Sequence, residues 1–177
     1  DKYFTLDELK ENLKEKQTDK DNKLVLLYAN NKEAQHSYIE IAKDKGYEVL
    51  LLDSPIISHL IQKIEGDNQD LTFVRVDSDH IDNLIKKEET TISKLSDDEK
   101  ETLKTSLETL VPKAYTVQLE SLDSNAAPFI ITQPEFMRRM KEMSQSGGGG
   151  MFGMSNMPEM YNLVVNTNSD LATTILN

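Results

Sequence analysis

The residues best suited to chemistry form one tight group, Asp77, Asp79, His80 and Asp82. Carboxylates and an imidazole at that spacing could hold a divalent cation or pass a proton. The group lacks the glycine and the terminal glutamate of a calcium loop, so a solvated turn with a helix cap accounts for it. His36 and His59 lie far from it, and no His-X-X-X-His pair occurs. The chain has no cysteine. Thiolate metal sites, disulfides and cysteine nucleophiles are therefore excluded. The turn at 29–33 has no glycine, so it is not built to wrap backbone amides around a phosphate. Acidic neighbours such as Asp97 and Asp98 suit the first turn of a helix, where the dipole favours them. These residue types point to no catalytic, cofactor or metal site within the chain.

Methionine is distributed differently. All 7 methionines fall between positions 137 and 160, at spacings of three within each of two groups. Phe136, Met137, Met140 and Met143 make an apolar stripe at helical spacing, with Arg138, Arg139, Lys141 and Glu142 expected on the other faces. Met151, Phe152 and Met154 follow a glycine run at 147–150. Methionine is unbranched and polarizable, and surfaces that accept many partners favour it. These seven side chains, Phe136, Met137, Met140, Met143, Met151, Phe152 and Met154, are the candidate binding surface. Ordinary core packing at helical spacing is the alternative. So is packing against a C-terminal continuation of the chain.

The elements that would carry these groups can be read from pattern. Thr5 and Glu8 make a capping box ahead of Leu6, Leu9 and Leu13. The run at 24–29 is continuously apolar, as a strand covered on both faces requires. Asn31 is placed to cap a helix through Ile39, Ile41 and Ala42 that ends at Gly46. Residues 47–52 predict a second buried strand. Pro55 suits the start of a third helix, which carries Ile56, Ile57, Leu60, Ile61 and Ile64 and ends at Gly66. Residues 71–76 predict a third strand. Such alternation builds a small parallel sheet with helices packed on it. A lysine- and acid-rich stretch over 82–104 sets the module boundary near residue 90, giving modules at 1–88 and 92–177.

In the second module, Ser96 and Glu99 cap a helix through Leu103, Leu107 and Leu110 that Pro112 ends. Segments 115–119 and 129–131, joined across Asp123, Ser124 and Asn125, predict an antiparallel pair. Thr132 and Glu135 predict a further capping box for the methionine helix, which runs to about Gln145. A flexible break follows at 147–150. Residues 161–165 predict a last strand, and Ser169 or Asp170 a last helix. The expected fold class is α/β followed by α+β.

Composition limits the partners. Of 177 residues, 31 are acidic and 20 basic, a net charge of −11, which opposes nonspecific binding to nucleic acid. No stretch approaches the roughly 18 apolar residues of a spanning helix, so no membrane partner is expected. Zero cysteine fits a cytoplasmic origin. The chain opens Asp1-Lys2-Tyr3 with no initiator methionine or signal peptide, and closes on Thr174-Ile175-Leu176-Asn177. It reads as an excised piece of a longer protein.

The block Gly46-Tyr47-Glu48-Val49-Leu50-Leu51-Leu52-Asp53-Ser54-Pro55-Ile56 resembles a signature of the ninety-kilodalton heat-shock chaperone family, bacterial HtpG type. Pro128-Phe129-Ile130-Ile131, the helix at Glu135-Phe136-Met137 and the strand from Glu159 to Asn166 resemble later blocks of that family, in the same order. The resemblance implies that 1–88 is the small α/β/α subdomain closing the middle region. It implies that 92–177 is most of the C-terminal domain, cut before its last dimerisation helices. It places the ATPase domain, with its ATP and Mg, upstream. This piece would then be non-catalytic and without a cofactor of its own. It implies a homodimer in the full-length protein. It also implies that Phe136, Met137, Met140 and Met143 hold unfolded or partly folded client proteins. An assembly module, with the methionine stripe buried by a defined partner, is the second reading. A small-ligand binder using the strand ends near Ala29 and Asp53 is the third.

Overall fold

A computed structural model describes residues 3–86, 91–146 and 159–176, with only the backbone described for 142–146. Helix α1 (Leu6–Gln17) begins at a complete capping box. The Glu8 amide donates to Thr5 Oγ1 at 3.3 Å, and the Thr5 amide donates to Glu8 Oε2 at 2.7 Å. Two of the orphan donors at a helix start are satisfied in this way. Strand β1 (Leu24–Ala29) is buried throughout. It is the centre of a three-stranded parallel sheet of order β2-β1-β3, with β2 (Val49–Leu51) and β3 (Leu71–Arg75) at the edges.

Alternating residues of β1 serve two cores. Val25, Leu27 and Ala29 pack with Ile39 and Ala42 of α2 (His36–Asp44) and with Ile81 and Leu84 of α4 (Ile81–Leu84). Leu24, Leu26 and Tyr28 pack with Leu13 of α1 and with Ile57 and Ile61 of α3 (Ile57–Asp67). Helices thus cover both faces of this sheet, which is why β1 can be apolar at every position.

Three details differ from the sequence expectation. The Asn31 side chain accepts from the Glu33 and Ala34 amides, so it caps a turn, and α2 starts only at His36. The second strand is short and half-exposed, with Leu51 49% exposed, because β2 lies at the sheet edge. Helix α3 starts after Pro55 and runs through Gly66 to Asp67. Gly46 does end the α2 region, at φ 79°, a left-handed conformation that glycine adopts without strain.

The second sheet has order β4-β6-β5, from β4 (Tyr115–Glu120), β5 (Phe129–Thr132) and β6 (Tyr161–Asn166). The expected β4–β5 antiparallel pair does not form. Strand β6 lies between them, parallel to β4 and antiparallel to β5. Burial explains the insertion. Val164 and Val165 are fully buried, whereas β4 and β5 each keep polar or exposed positions. The strand with the two fully buried valines takes the centre. Helix α5 (Asp97–Leu110) starts at the Ser96–Glu99 capping box and packs Leu103 and Leu107 against Val117 and Val165. Ser169 Oγ accepts from the Ala172 amide at 3.2 Å and starts α7 (Asp170–Leu176). Among the described residues, no helix is long and apolar enough to cross a membrane.

The end of β6 is a buried polar knot. Asn166 is 0% exposed. Its Oδ1 accepts from the Leu122 and Asn168 amides, and its Nδ2 donates to the Asp123 carbonyl at 2.8 Å. Asn168 Nδ2 donates in turn to the Ile92 and Leu122 carbonyls. Asn166→Ala strands several buried groups and should lower the unfolding free energy by about 2–3 kcal/mol. Equilibrium urea unfolding reads this as a lower midpoint at unchanged slope.

Candidate functional site

Helix α6 (Glu135–Ser146) carries the candidate surface. Its inward face is not the methionine stripe. Arg138 is buried, 5% exposed, while Phe136 is 70% exposed. Met137 and Met140 are half-buried. For Met143 only the backbone is described, and Met151, Phe152 and Met154 lie outside the described residues, as does the glycine run at 147–150. The structure therefore brings Phe136, Met137 and Met140 together on one helix and leaves Phe136 open to solvent.

Arginine orients the helix. The Arg138 guanidinium donates to the Tyr28 hydroxyl and to Glu135 Oε1, and it lies 5.7 Å from the centroid of the Tyr28 ring. Arg139 Nε donates to Glu135 Oε1 at 2.6 Å, and its Nη1 to Glu65 Oε2 of α3 at 2.8 Å. Its Nη2 reaches the Phe73 carbonyl at 2.6 Å. Arg75, paired with Asp77, also donates to Gln133 at 2.7 Å. The Gln133 amide donates to the Asp77 carbonyl at 2.9 Å. Tyr38 Oη donates to the Ile131 carbonyl. Hydrogen bonds to a charged group are the strong kind, and guanidinium can make several at fixed angles.

These contacts gather at the carboxyl ends of β1 and β3, where the strand order reverses. Open α/β sheets commonly bind ligands at that point. Here Gln133 and Arg138 of the second module fill it.

The expected capping box at Thr132 and Glu135 does not form. Thr132 belongs to β5, and its buried Oγ1 has no hydrogen-bond partner. The Glu135 carboxylate turns instead to the arginines one turn further along its own helix. Two ion pairs outcompete one neutral cap. The Asp77 to Asp82 group is a helix cap as expected, since His80 Nδ1 accepts from the Asp82 amide. It is solvated only in part, with Asp82 exposed and Asp77 and Asp79 half-buried. Ser78 and His80 are buried, and burial pushes the His80 pKa down against the opposing charges of Asp82 and Asp79. No group of three or more His, Asp or Glu that could hold a metal occurs among the described residues.

Burial works to raise the Glu65 pKa. Bonds from Arg139, the Phe73 amide and Thr72, together with the charge of Arg139, outweigh it and hold the carboxyl below its ordinary value. Arg139 is driven the other way. Burial works against its charge, and Glu65 and Glu135 more than compensate, so its pKa is raised.

Pattern reading missed Tyr28, Glu65, Arg138 and Arg139 as functional positions. Two signals were available: a tyrosine in an otherwise aliphatic strand, and a glutamate three and four residues before two arginines.

No family model matches the chain. Individual relatives do. Residue identity is 42% with the chaperone protein HtpG of Bacteroides thetaiotaomicron, over 99% of this chain and 26% of that protein. It is 43% with HtpG of Porphyromonas gingivalis, over 98% of this chain and 26% of that protein. The chain is similar to a segment of bacterial HtpG chaperones. HtpG of Bacteroides fragilis gives 41% identity over 99% of the chain. The chain spans about a quarter of the length of these HtpG relatives, 26% in each. The ninety-kilodalton heat-shock resemblance of the Gly46 block thus extends along nearly the whole sequence.

Because the Glu65 pKa is depressed in the fold, its contribution is complete above the ordinary carboxylate range. It is lost as pH falls through the folded value. Urea unfolding at a series of acidic pH values should therefore show a shallower acid loss of stability in Glu65→Gln than in the wild type. Equal acid slopes would show that Glu65 gains nothing from its partners.

Proposed function

We propose that this chain is the client-binding and coupling part of an HtpG-type chaperone. Residues 1–88 are the subdomain closing the middle region, and 92–177 are the body of the C-terminal domain. The reading is supported by the exposed Phe136 on α6, beside the half-buried Met137 and Met140. Arg138 and Arg139 take the inward side, which turns Phe136 to solvent at 70% exposure. Each methionine that covers client surface contributes about 1.5–3 kcal/mol before ordering costs are subtracted. Helix α3, against which α6 packs, leaves Leu60 exposed, as is Ile56 just before its first turn. The net charge of −11 keeps such a surface dispersed in solution. ATP hydrolysis with ATP and Mg belongs to an upstream domain, the working protein is a cytoplasmic homodimer, and neither nucleic acid nor membrane is a partner.

A second reading, an assembly module, draws on α7, where Leu171 and Ile175 are exposed one turn apart. A mass that rises with concentration would favour it.

The test is binding of a fluorescent, reduced unfolded polypeptide to the chain and to a variant with Met137, Met140 and Met143 changed to Gln. Gln preserves helix propensity, and circular dichroism checks the fold. The expected outcome is a loss of affinity of about tenfold or more. Equal binding by the two proteins would remove α6 as the client surface.

A further inference from the structure

Helix α6 is held differently from every other long helix of the fold. Among the described residues, no side chain of α6 belongs to any of the three apolar cores. Its described attachment to the first sheet is polar: Arg139 to Glu65 and to the Phe73 carbonyl, and Arg138 to Tyr28. The Glu65 and Arg139 side chains remain 22% and 25% exposed, so water and salt can reach them.

The same pair performs a second task. Strand β3 is an edge strand, and Phe73 turns both its backbone groups away from β1. The Phe73 amide donates to Glu65 Oε1 at 2.7 Å, and its carbonyl accepts from Arg139 at 2.6 Å. Glu65 and Arg139 thus occupy the positions that a neighbouring strand would fill. Proteins commonly cover such edges because an open edge pairs with any extended chain.

We propose that Glu65 and Arg139 form an ionic latch that docks α6 reversibly over the β3 edge. Opening the latch loosens α6 where it crosses β3 and bares the Phe73 amide and carbonyl to water, while the Arg138–Tyr28 contact keeps the helix tethered. The latch rests on ion pairs rather than apolar contact, so it responds to salt, whereas the cores do not.

Amide hydrogen exchange by NMR on the whole chain tests this. In Arg139→Gln, the α6 amides and the Phe73 amide should lose about tenfold or more in protection, while Leu26 and Leu27 of β1 keep theirs. Arg139→Lys, which keeps the charge but not the fork, should fall between the two. Raising salt should lower α6 protection in the wild type and change little in Arg139→Gln. Unchanged α6 protection in Arg139→Gln would overturn the proposal. So would an equal loss at Leu26 and Leu27, since that reports global unfolding. Client affinity is measured separately, so the latch can fail while the client reading stands, and the reverse.

Discussion

Two guanidinium groups side by side on one helix, Arg138 and Arg139, need ionic partners wherever they are buried. Removing a charge from water without a partner costs several kcal/mol, so the positions of Glu65 on α3 and Tyr28 on β1 fix the rotation of α6. Once the arginines face inward, Phe136 lies on the solvent side, and Met137 and Met140 stay half-buried. Phe136 is exposed for this reason, although an aromatic side chain on a helix is ordinarily core. The same contacts set how the second sheet meets the first. Arg75 to Gln133 and Tyr38 to the Ile131 carbonyl add to an interface made of hydrogen bonds and charge.

The two sheets are built on the opposite principle. Strand β1 has apolar side chains on both faces, and β6 is buried at its carboxyl half. Their stability rests on area removed from water, which has no direction. The interface between them rests on directional bonds, which give one orientation and lose strength with screening. The proposed coupling role needs rigid bodies and a joint that can give. The Asn166 to Ser169 knot belongs to the rigid part, since its groups are buried and bonded to two separate backbone segments, at Ile92 and at Leu122–Asp123.

Local signals were the most legible in the sequence. The Thr5–Glu8 and Ser96–Glu99 capping boxes, the β1 run and the Ser169 helix start all follow from a few adjacent residues, and the structure has them. Thr132–Glu135 has the same spacing and forms no box, because Glu135 has stronger partners in Arg138 and Arg139. The order of the second sheet was not legible. Segments 115–119 and 129–131 are neighbours in sequence, but the strand that separates them arrives some thirty residues later. Nonlocal pairing of this kind leaves no mark on either segment alone. The methionine stripe was legible as a stripe. Its direction was not, because that depends on Glu65, which belongs to another helix.

The account turns on which side of α6 meets water. The chain contains no tryptophan, so Phe136→Trp gives a single reporter on that face. Its emission and its quenching by acrylamide should be measured in the folded protein and again in urea. The account predicts red-shifted emission and nearly the same quenching in both states. Blue-shifted emission that acrylamide cannot reach until the protein unfolds would contradict it, because Phe136 would then face a core and the arginines would face water.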